Sequence, residues 1–176
     1  QGSLPTAAQP AAAAPPPSSR APGTRIPRTE IDGVYTGTYG SNPDDEVPAK
    51  LYVKFINNGS VNGILDGLFT FEVPPSPEAK PVTYTLKLEG TYDGSIWFYS
   101  AKPLGKPAPD AYAVKEISAE FDKTPYVKGP NGQLVFDYIP DQISGKDINK
   151  NNRAINKFKG VRDKAESANL DRLMAT

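Results

Sequence analysis

The stretch that decides the fold runs from Val82 to Ala101 and reads VTYTLKLEGTYDGSIWFYSA. Apolar and polar side chains alternate through its first half, and this period of two predicts a strand with one buried face and one face in water. The alternating apolar side chains are Val82, Tyr84, Leu86 and Leu88. Asp93-Gly94 then supplies a hairpin turn, so the second half is predicted to be the antiparallel partner strand.

The length of this turn decides which aromatic side chains of the hairpin are buried. A two-residue loop at Asp93-Gly94 places Trp97 opposite Gly90 and buries the indole over the bare glycine backbone. A loop one residue longer, with a bulge, pairs Phe98 with Leu88 and turns the indole to the other face. We favour the two-residue loop because it gives both strands a continuous apolar face.

Strand signals recur in five other segments of the chain. These segments span residues 31–39, 51–56, 60–73, 112–121 and 134–139. The segment 60–73 keeps one apolar parity through two glycines, which indicates a long strand that bends at Gly63 and Gly67. Seven strands joined mostly by hairpin-length loops predict an antiparallel β-barrel or a tightly coiled β-sandwich.

Composition changes on both sides of the predicted β domain, which we place at residues 31–146. Residues 1–30 are rich in Ala, Pro, Ser and Thr, so we expect a disordered linker that serves as a tether. From residue 147 onward the apolar side chains fall at helical spacing, and they are Ile148, Ile155, Phe158 and Val161. We therefore predict that 147–176 is a short, basic helical segment that docks on the domain.

The formal net charge of zero hides a segregation of charge along the chain. Residues 31–145 carry nine Lys against fifteen acidic residues, and 146–176 carry eight basic against four acidic residues. This asymmetry indicates either a tail that contacts an anionic partner or a basic tail folded on its own acidic domain. The candidate partner-binding residues are Lys150, Arg153, Lys157, Lys159 and Arg162.

Cysteine and histidine are both absent from the sequence. Disulfides, thiolate nucleophiles, Cys or His metal ligands and His general bases are therefore excluded. No phosphate-binding loop or nucleophile motif occurs, and no apolar run is long enough for a transmembrane helix. We predict a protein without catalytic residues, metal, cofactor or nucleic-acid partner, although catalysis by carboxylates alone stays open.

Nine Tyr, seven Phe and one Trp are more aromatic residues than a minimal core requires. Most of them are expected to fill the core, since aromatic side chains favour pleated, half-buried surfaces. A row of them on a solvent-facing surface would instead bind sugars or apolar ligands. The candidates for such a platform are Tyr35, Tyr52, Trp97 and Tyr99.

Two parts of the chain resemble known protein groups. The opening strand IDGVYTGTY, with its Gly-x-aromatic pattern, resembles the first strand of lipocalins, although it has Tyr35 where that pattern has Trp. The sequence also lacks the cysteines that many lipocalins carry, so the family is not assigned; membership would imply a ligand-carrying barrel. The Ala/Pro-rich composition of residues 1–28 resembles the tethers of bacterial lipoproteins and of secreted modular proteins. It implies a protein that is periplasmic, tethered to the outer membrane or secreted.

Two functions are consistent with these features. The first is a monomeric, extracytoplasmic, lipoprotein-like β-module that binds a protein or a cell-envelope component and meets a membrane only through an N-terminal anchor. The alternative is a barrel that binds a small ligand or a carbohydrate, as a lipocalin-like carrier or a carbohydrate-binding module does. The barrel interior distinguishes a carrier from a scaffold, because a carrier needs an open interior.

Overall fold

The computed structural model describes residues 32–56, 63–92, 95–122, 126–128, 134–136, 141–149, 151, 153 and 155–175. Eight strands form a closed antiparallel barrel, which confirms the predicted fold class with a strand count slightly above the seven expected. The predicted tether, the turn at Asp93-Gly94 and Lys150 lie outside the described residues.

The strands formed by the described residues are β1 (Gly33–Gly40), β2 (Val47–Phe55), β3 (Gly63–Val73), β4 (Val82–Tyr92), β5 (Ile96–Pro103), β6 (Glu116–Phe121), β7 (Tyr126–Lys128), β8 (Leu134–Phe136), β9 (Gln142–Ile148) and β10 (Lys157–Arg162). The barrel order is β1-β2-β3-β4-β5-β6-β9-β10, and β10 closes on β1. β7 and β8 pair with each other in a separate two-stranded sheet. Two short helices follow, α1 (Lys164–Ser167) and α2 (Leu170–Met174), and 3-10 turns lie at Pro43–Asp45 and Asp110–Tyr112.

The C-terminal part of the chain departs most from the sequence prediction. The helical prediction is wrong over 157–162, which forms β10, and the barrel therefore extends past the predicted boundary at residue 146. Of the four side chains at helical spacing, Phe158 is buried in the barrel, whereas Ile155 and Val161 are exposed. Alternation between an inward Phe158 and outward lysines defines this strand, and pairing with β1 and β9 satisfies its backbone.

Inward-facing side chains fill the barrel and form one continuous core. Phe69 contacts Phe158 with ring centroids 5.4 Å apart, although β3 and β10 lie three places apart around the barrel. Tyr35 contacts Phe121 across the interior in the same way, at 6.3 Å. The other inward aromatic side chains are Tyr39, Phe55, Phe71, Tyr84, Tyr92 and Phe98. Most of the described aromatic residues therefore fill the core, as predicted.

The β4–β5 hairpin has a different register from the one we favoured. Tyr92 pairs with Ile96, so three residues lie between the strands, and a bulge beside Gly90 shifts the pairing further along. Trp97 consequently faces outward and is 40% exposed, whereas Phe98 is fully buried. A Cβ atom at Gly90 would lie 2.2 Å from the carbonyl oxygen of Trp97. Close approach of two backbones, and not a covering indole, therefore explains this glycine.

Replacing Trp97 by Ala is expected to lower the free energy of unfolding by less than about 1 kcal/mol, because the indole adds little to the core. Phe98→Ala, at the neighbouring buried position, should cost about 3–4 kcal/mol by leaving a cavity. Urea unfolding followed by circular dichroism measures both values. A larger loss for Trp97→Ala than for Phe98→Ala would mean that the indole belongs to the core.

The chain after β10 turns back over the outside of the barrel, and α1 and α2 dock there. The predicted docking stripe of Ile148, Ile155, Phe158 and Val161 does not make this contact, which depends on Leu170. Leu170 of α2 is buried against Val34, Tyr52 and Leu68, which point outward from the first three strands. Ion pairs reinforce the contact, and they are Lys50–Glu166 at 2.7 Å and Lys54–Asp171 at 2.6 Å. Among the described residues, no helix has the length and apolarity needed to cross a membrane.

Candidate functional site

The structure separates the four aromatic residues predicted to form a binding platform. Tyr35 lies inside the barrel, and Tyr52 lies outside it under α2, so both are buried. Trp97 and Tyr99 are exposed on β5, at 40% and 55%. The four-residue platform is therefore wrong, and only the two β5 aromatics are available to a ligand.

The predicted basic residues lie on a strand and its connections and do not share a helix face. Lys157 and Lys159 both point outward from β10 and are exposed. Arg153 is exposed in the β9–β10 connection. Arg162 is half-buried, and its Nη2 donates a hydrogen bond of 2.8 Å to the backbone carbonyl of Asp32 just before β1. Of the predicted basic residues, Lys157 and Lys159 lie on the same outward face of β10.

An open groove on the outside of the barrel brings one predicted aromatic and one predicted lysine together. We call it the Trp97 groove; it has a volume of about 480 Å³, and it is lined by Ser95, Trp97, Ser118, Ala119, Glu120, Ser144, Gly145, Lys146 and Lys157. Its main row crosses four adjacent strands, since Trp97 pairs with Ser118, Ser118 with Lys146, and Lys146 with Lys157. Small residues form the floor of the groove. The indole of Trp97 lies at one end, and the ammonium groups of Lys146 and Lys157 lie at the other.

The two lysines of the groove face each other directly across the β9–β10 pair. Like charges at opposite positions of a sheet repel each other and lower its stability. Lys146 and Lys157 are both exposed, and within the described part of the chain neither forms an ion pair. This end of the groove therefore carries two positive charges suited to an anion, and the carboxylate of Glu120 lines the same groove.

Sequence reasoning missed Lys146 and Ser118 as groove residues. Ser118 lies on the parity of the predicted strand that was assigned to solvent, and no chemistry marks a single serine there. Lys146 was missed because the sequence pattern did not predict β9, and the predicted domain boundary falls at this residue. The alternation of Ile143 and Asp147 inward with Lys146 outward is the signal that would have found it.

A second cluster of polar side chains is buried where the β9–β10 connection meets the barrel. The carboxylate of Asp147, which is 1% exposed, accepts four hydrogen bonds. Its Oδ1 accepts from the backbone N–H groups of Ile155 at 3.0 Å and Asn156 at 2.9 Å. Its Oδ2 accepts from the Tyr39 hydroxyl at 2.7 Å and from Asn156 Nδ2 at 2.8 Å.

This Asp147 cluster fits a structural role. Burial raises the pKa of Tyr39 far above its usual range, and the neighbouring Asp147 charge raises it further. The Tyr39 phenol therefore stays protonated near neutral pH and acts as a hydrogen-bond donor. Asn156 Nδ2 also donates to the carbonyl of Ala111 at 3.0 Å, which ties the β9–β10 connection to the loop before β6.

The free energy of unfolding is expected to fall as the pH rises above about 10. Burial raises the pKa of Tyr35 to about 12, an effect that Arg162 partly offsets, and burial also raises the pKa of Tyr39. Unfolded tyrosines ionise near pH 10, so above that value the folded state binds more protons than the unfolded state. The contribution is complete below about pH 10 and is lost as the pH rises toward the folded-state pKa values.

Urea unfolding at pH values from about 9 to about 12 measures this decline. Replacing Tyr35 by Phe should make the decline shallower, because one of the tyrosines with a raised pKa no longer titrates. An unchanged slope in the double variant Tyr35→Phe/Tyr39→Phe would contradict the prediction.

No group of three or more Asp, Glu, His or Cys side chains is placed to hold a metal ion in the described residues. Comparison with known proteins finds no matching family model and no matching curated protein. The fold itself defines the class: an eight-stranded, up-and-down antiparallel β-barrel with a packed interior and a groove on its outer face.

Proposed function

We propose that this protein is a non-enzymatic, extracytoplasmic binding module whose outer surface holds a protein or a cell-envelope component. The observation that carries the proposal is the contrast between a packed interior and an exposed, chemically distinct groove. Phe69 and Phe158 touch across the interior. Trp97 and the pair Lys146 and Lys157 lie on the outside, where a macromolecular partner has access.

The packed interior weighs against the carrier alternative. A ligand inside the barrel would have to displace aromatic rings that contact one another at 4.9 to 6.3 Å. Each displaced ring would lose its packing contacts in the core, and the loss of such contacts lowers the free energy of unfolding. Binding on the outer face requires no such rearrangement.

The composition of residues 1–30 supports a tethered module. A Pro-rich composition of this kind is typical of linkers that hold a domain away from its anchor. We place the protein in the periplasm, on the outer membrane or in the medium, as a monomer. Fractionation of source cells tests this placement, and recovery in the cytoplasm would overturn it.

Sedimentation with cell-envelope fractions tests the binding surface. The full chain is mixed with membrane and cell-wall fractions of the source cells and should sediment with at least one of them. The triple variant Trp97→Ala/Lys146→Ala/Lys157→Ala should remain in the supernatant. The control Tyr99→Ala/Lys102→Ala/Lys106→Ala removes one aromatic residue and two lysines at exposed positions outside the groove and should bind normally. Equal loss in both variants, or no sedimentation of the wild type, would refute the proposal.

A further inference from the structure

We propose that the Trp97 groove binds an acidic oligosaccharide, with the indole packed on a sugar ring and the two lysines holding a carboxylate of the sugar. The inference rests on the proposed function and names the class of cell-envelope ligand. Three features of the groove lead to it: the exposed indole, the opposed lysines and the three serines among its lining residues.

The indole offers a flat apolar face at one end of the groove. Trp97 is 40% exposed beside Ser118, which is too small to cover it. The C–H groups on one side of a pyranose ring form an apolar face that packs on an aromatic ring and its negative π surface. A sugar ring therefore covers the indole better than a fully polar ligand does.

The lysines supply a site for a negative group at the other end. Lys146 and Lys157 are paired opposite each other, and a carboxylate between them would convert their repulsion into two charge-assisted hydrogen bonds. Neighbouring strands lie about 4.8 Å apart, so Lys146 is about 10 Å and Lys157 about 14 Å from Trp97 along the row. That span exceeds one sugar ring, so the ligand is an oligosaccharide.

The floor and the surroundings favour a sugar over other anionic polymers. The hydroxyls of Ser95, Ser118 and Ser144 line the groove and match the hydroxyl groups of a sugar. Glu120 lies in the same groove and disfavours ligands with a charge on every unit. The barrel strands that line the groove pair on both sides, so a peptide cannot bind here by extending the sheet.

Titration of the full chain with two acidic trisaccharides that each carry a single carboxylate, 3′-sialyllactose and 6′-sialyllactose, tests this inference. Trp97 is the single Trp of the sequence, so a change in its fluorescence reports directly on the groove. At least one trisaccharide should bind saturably, and the neutral maltotriose should bind at least about tenfold more weakly. Added salt should weaken the binding of the acidic sugar, because the lysines are exposed.

Variants measured by calorimetry identify the contacts. Trp97→Ala and Lys146→Ala/Lys157→Ala should each weaken binding of the acidic sugar by about tenfold or more. Lys102→Ala/Lys106→Ala makes the same charge change elsewhere and should leave the affinity unaltered. Absence of saturable binding by both trisaccharides would overturn the proposal.

Poly-glutamate separates the sugar site from a general anion site. If poly-glutamate binds as tightly as the sugars and Trp97→Ala has no effect, the groove accepts acidic polypeptides and the sugar proposal is wrong. If the sugars fail while envelope sedimentation still depends on the groove, the ligand class is wrong and the proposed function stands. If sedimentation fails as well, both are wrong.

Discussion

A chain that ends after residue 156 is expected not to fold into the barrel. The truncation removes β10, which pairs with both β1 and β9 and closes the sheet. The open sheet then has two unpaired edges, the core loses Phe158, and α1 and α2 no longer cover the outward apolar side chains. We expect the combined loss to exceed the total stability of about 5–15 kcal/mol that is usual for a domain. Far-UV circular dichroism and NMR peak dispersion measure the outcome.

A shorter truncation separates the strand from the helices. A chain that ends after Arg162 keeps β10 and loses α1 and α2, with the buried Leu170. It should still melt cooperatively, with a stability lower by about 2–3 kcal/mol for the lost apolar contact. If the chain that ends at residue 156 melted cooperatively at the full-length midpoint, β10 would not be required and the closed barrel would be contradicted.

Asp147→Ala is expected to destabilise the protein by about 4–5 kcal/mol, the second largest effect of the changes considered. The substitution removes the acceptor of the backbone N–H groups of Ile155 and Asn156, and it leaves the Tyr39 hydroxyl to donate to the carbonyl of Tyr112 at 3.2 Å. Each buried donor left without a partner costs about 1–3 kcal/mol, and a water molecule that fills the space left by the carboxylate offsets part of this cost. Urea unfolding at neutral pH measures the loss.

Two further substitutions identify the cause of this loss. Asp147→Asn keeps an oxygen for the two backbone N–H groups but places an amide beside the Asn156 side chain, so it should cost about half as much. Asp44→Ala, at an exposed carboxylate, should change stability by less than about 0.5 kcal/mol. A loss at Asp147 no larger than at Asp44 would mean that the buried cluster does not stabilise the fold.

The strands that sequence reasoning identified best are those whose inward positions are all apolar. In β3 the residues Leu65, Phe69, Phe71 and Val73 share the inward face, as the alternation predicted. In β9 the buried Asp147 interrupts the apolar pattern, and in β10 Phe158 is the one large apolar side chain on the inward face. The alternation in these two strands is therefore weak, and pairing with strands that are distant in the chain, which the sequence does not show, stabilises them.

The candidate groove could not be predicted, because it combines residues from four strands that become neighbours only when the barrel closes. Trp97 was considered as a ligand-binding residue and Lys157 as a partner-binding residue, but nothing in the sequence placed them on one surface. Lys146 was not considered at all. Pairing of β6 with β9, past the separate β7–β8 hairpin, creates the row that joins them.

The sequence by itself determined the antiparallel β class, the inward face of β3 and β4, and the exclusion of Cys and His chemistry. Each of these follows from residue type or from the two-residue period of a strand, which are properties of short segments. The tertiary structure alone decided the register at Gly90, the assignment of 157–162 to a strand and the outward direction of Trp97. These depend on which backbones approach each other and on closure of the sheet, and such long-range contacts have no local signature in the chain.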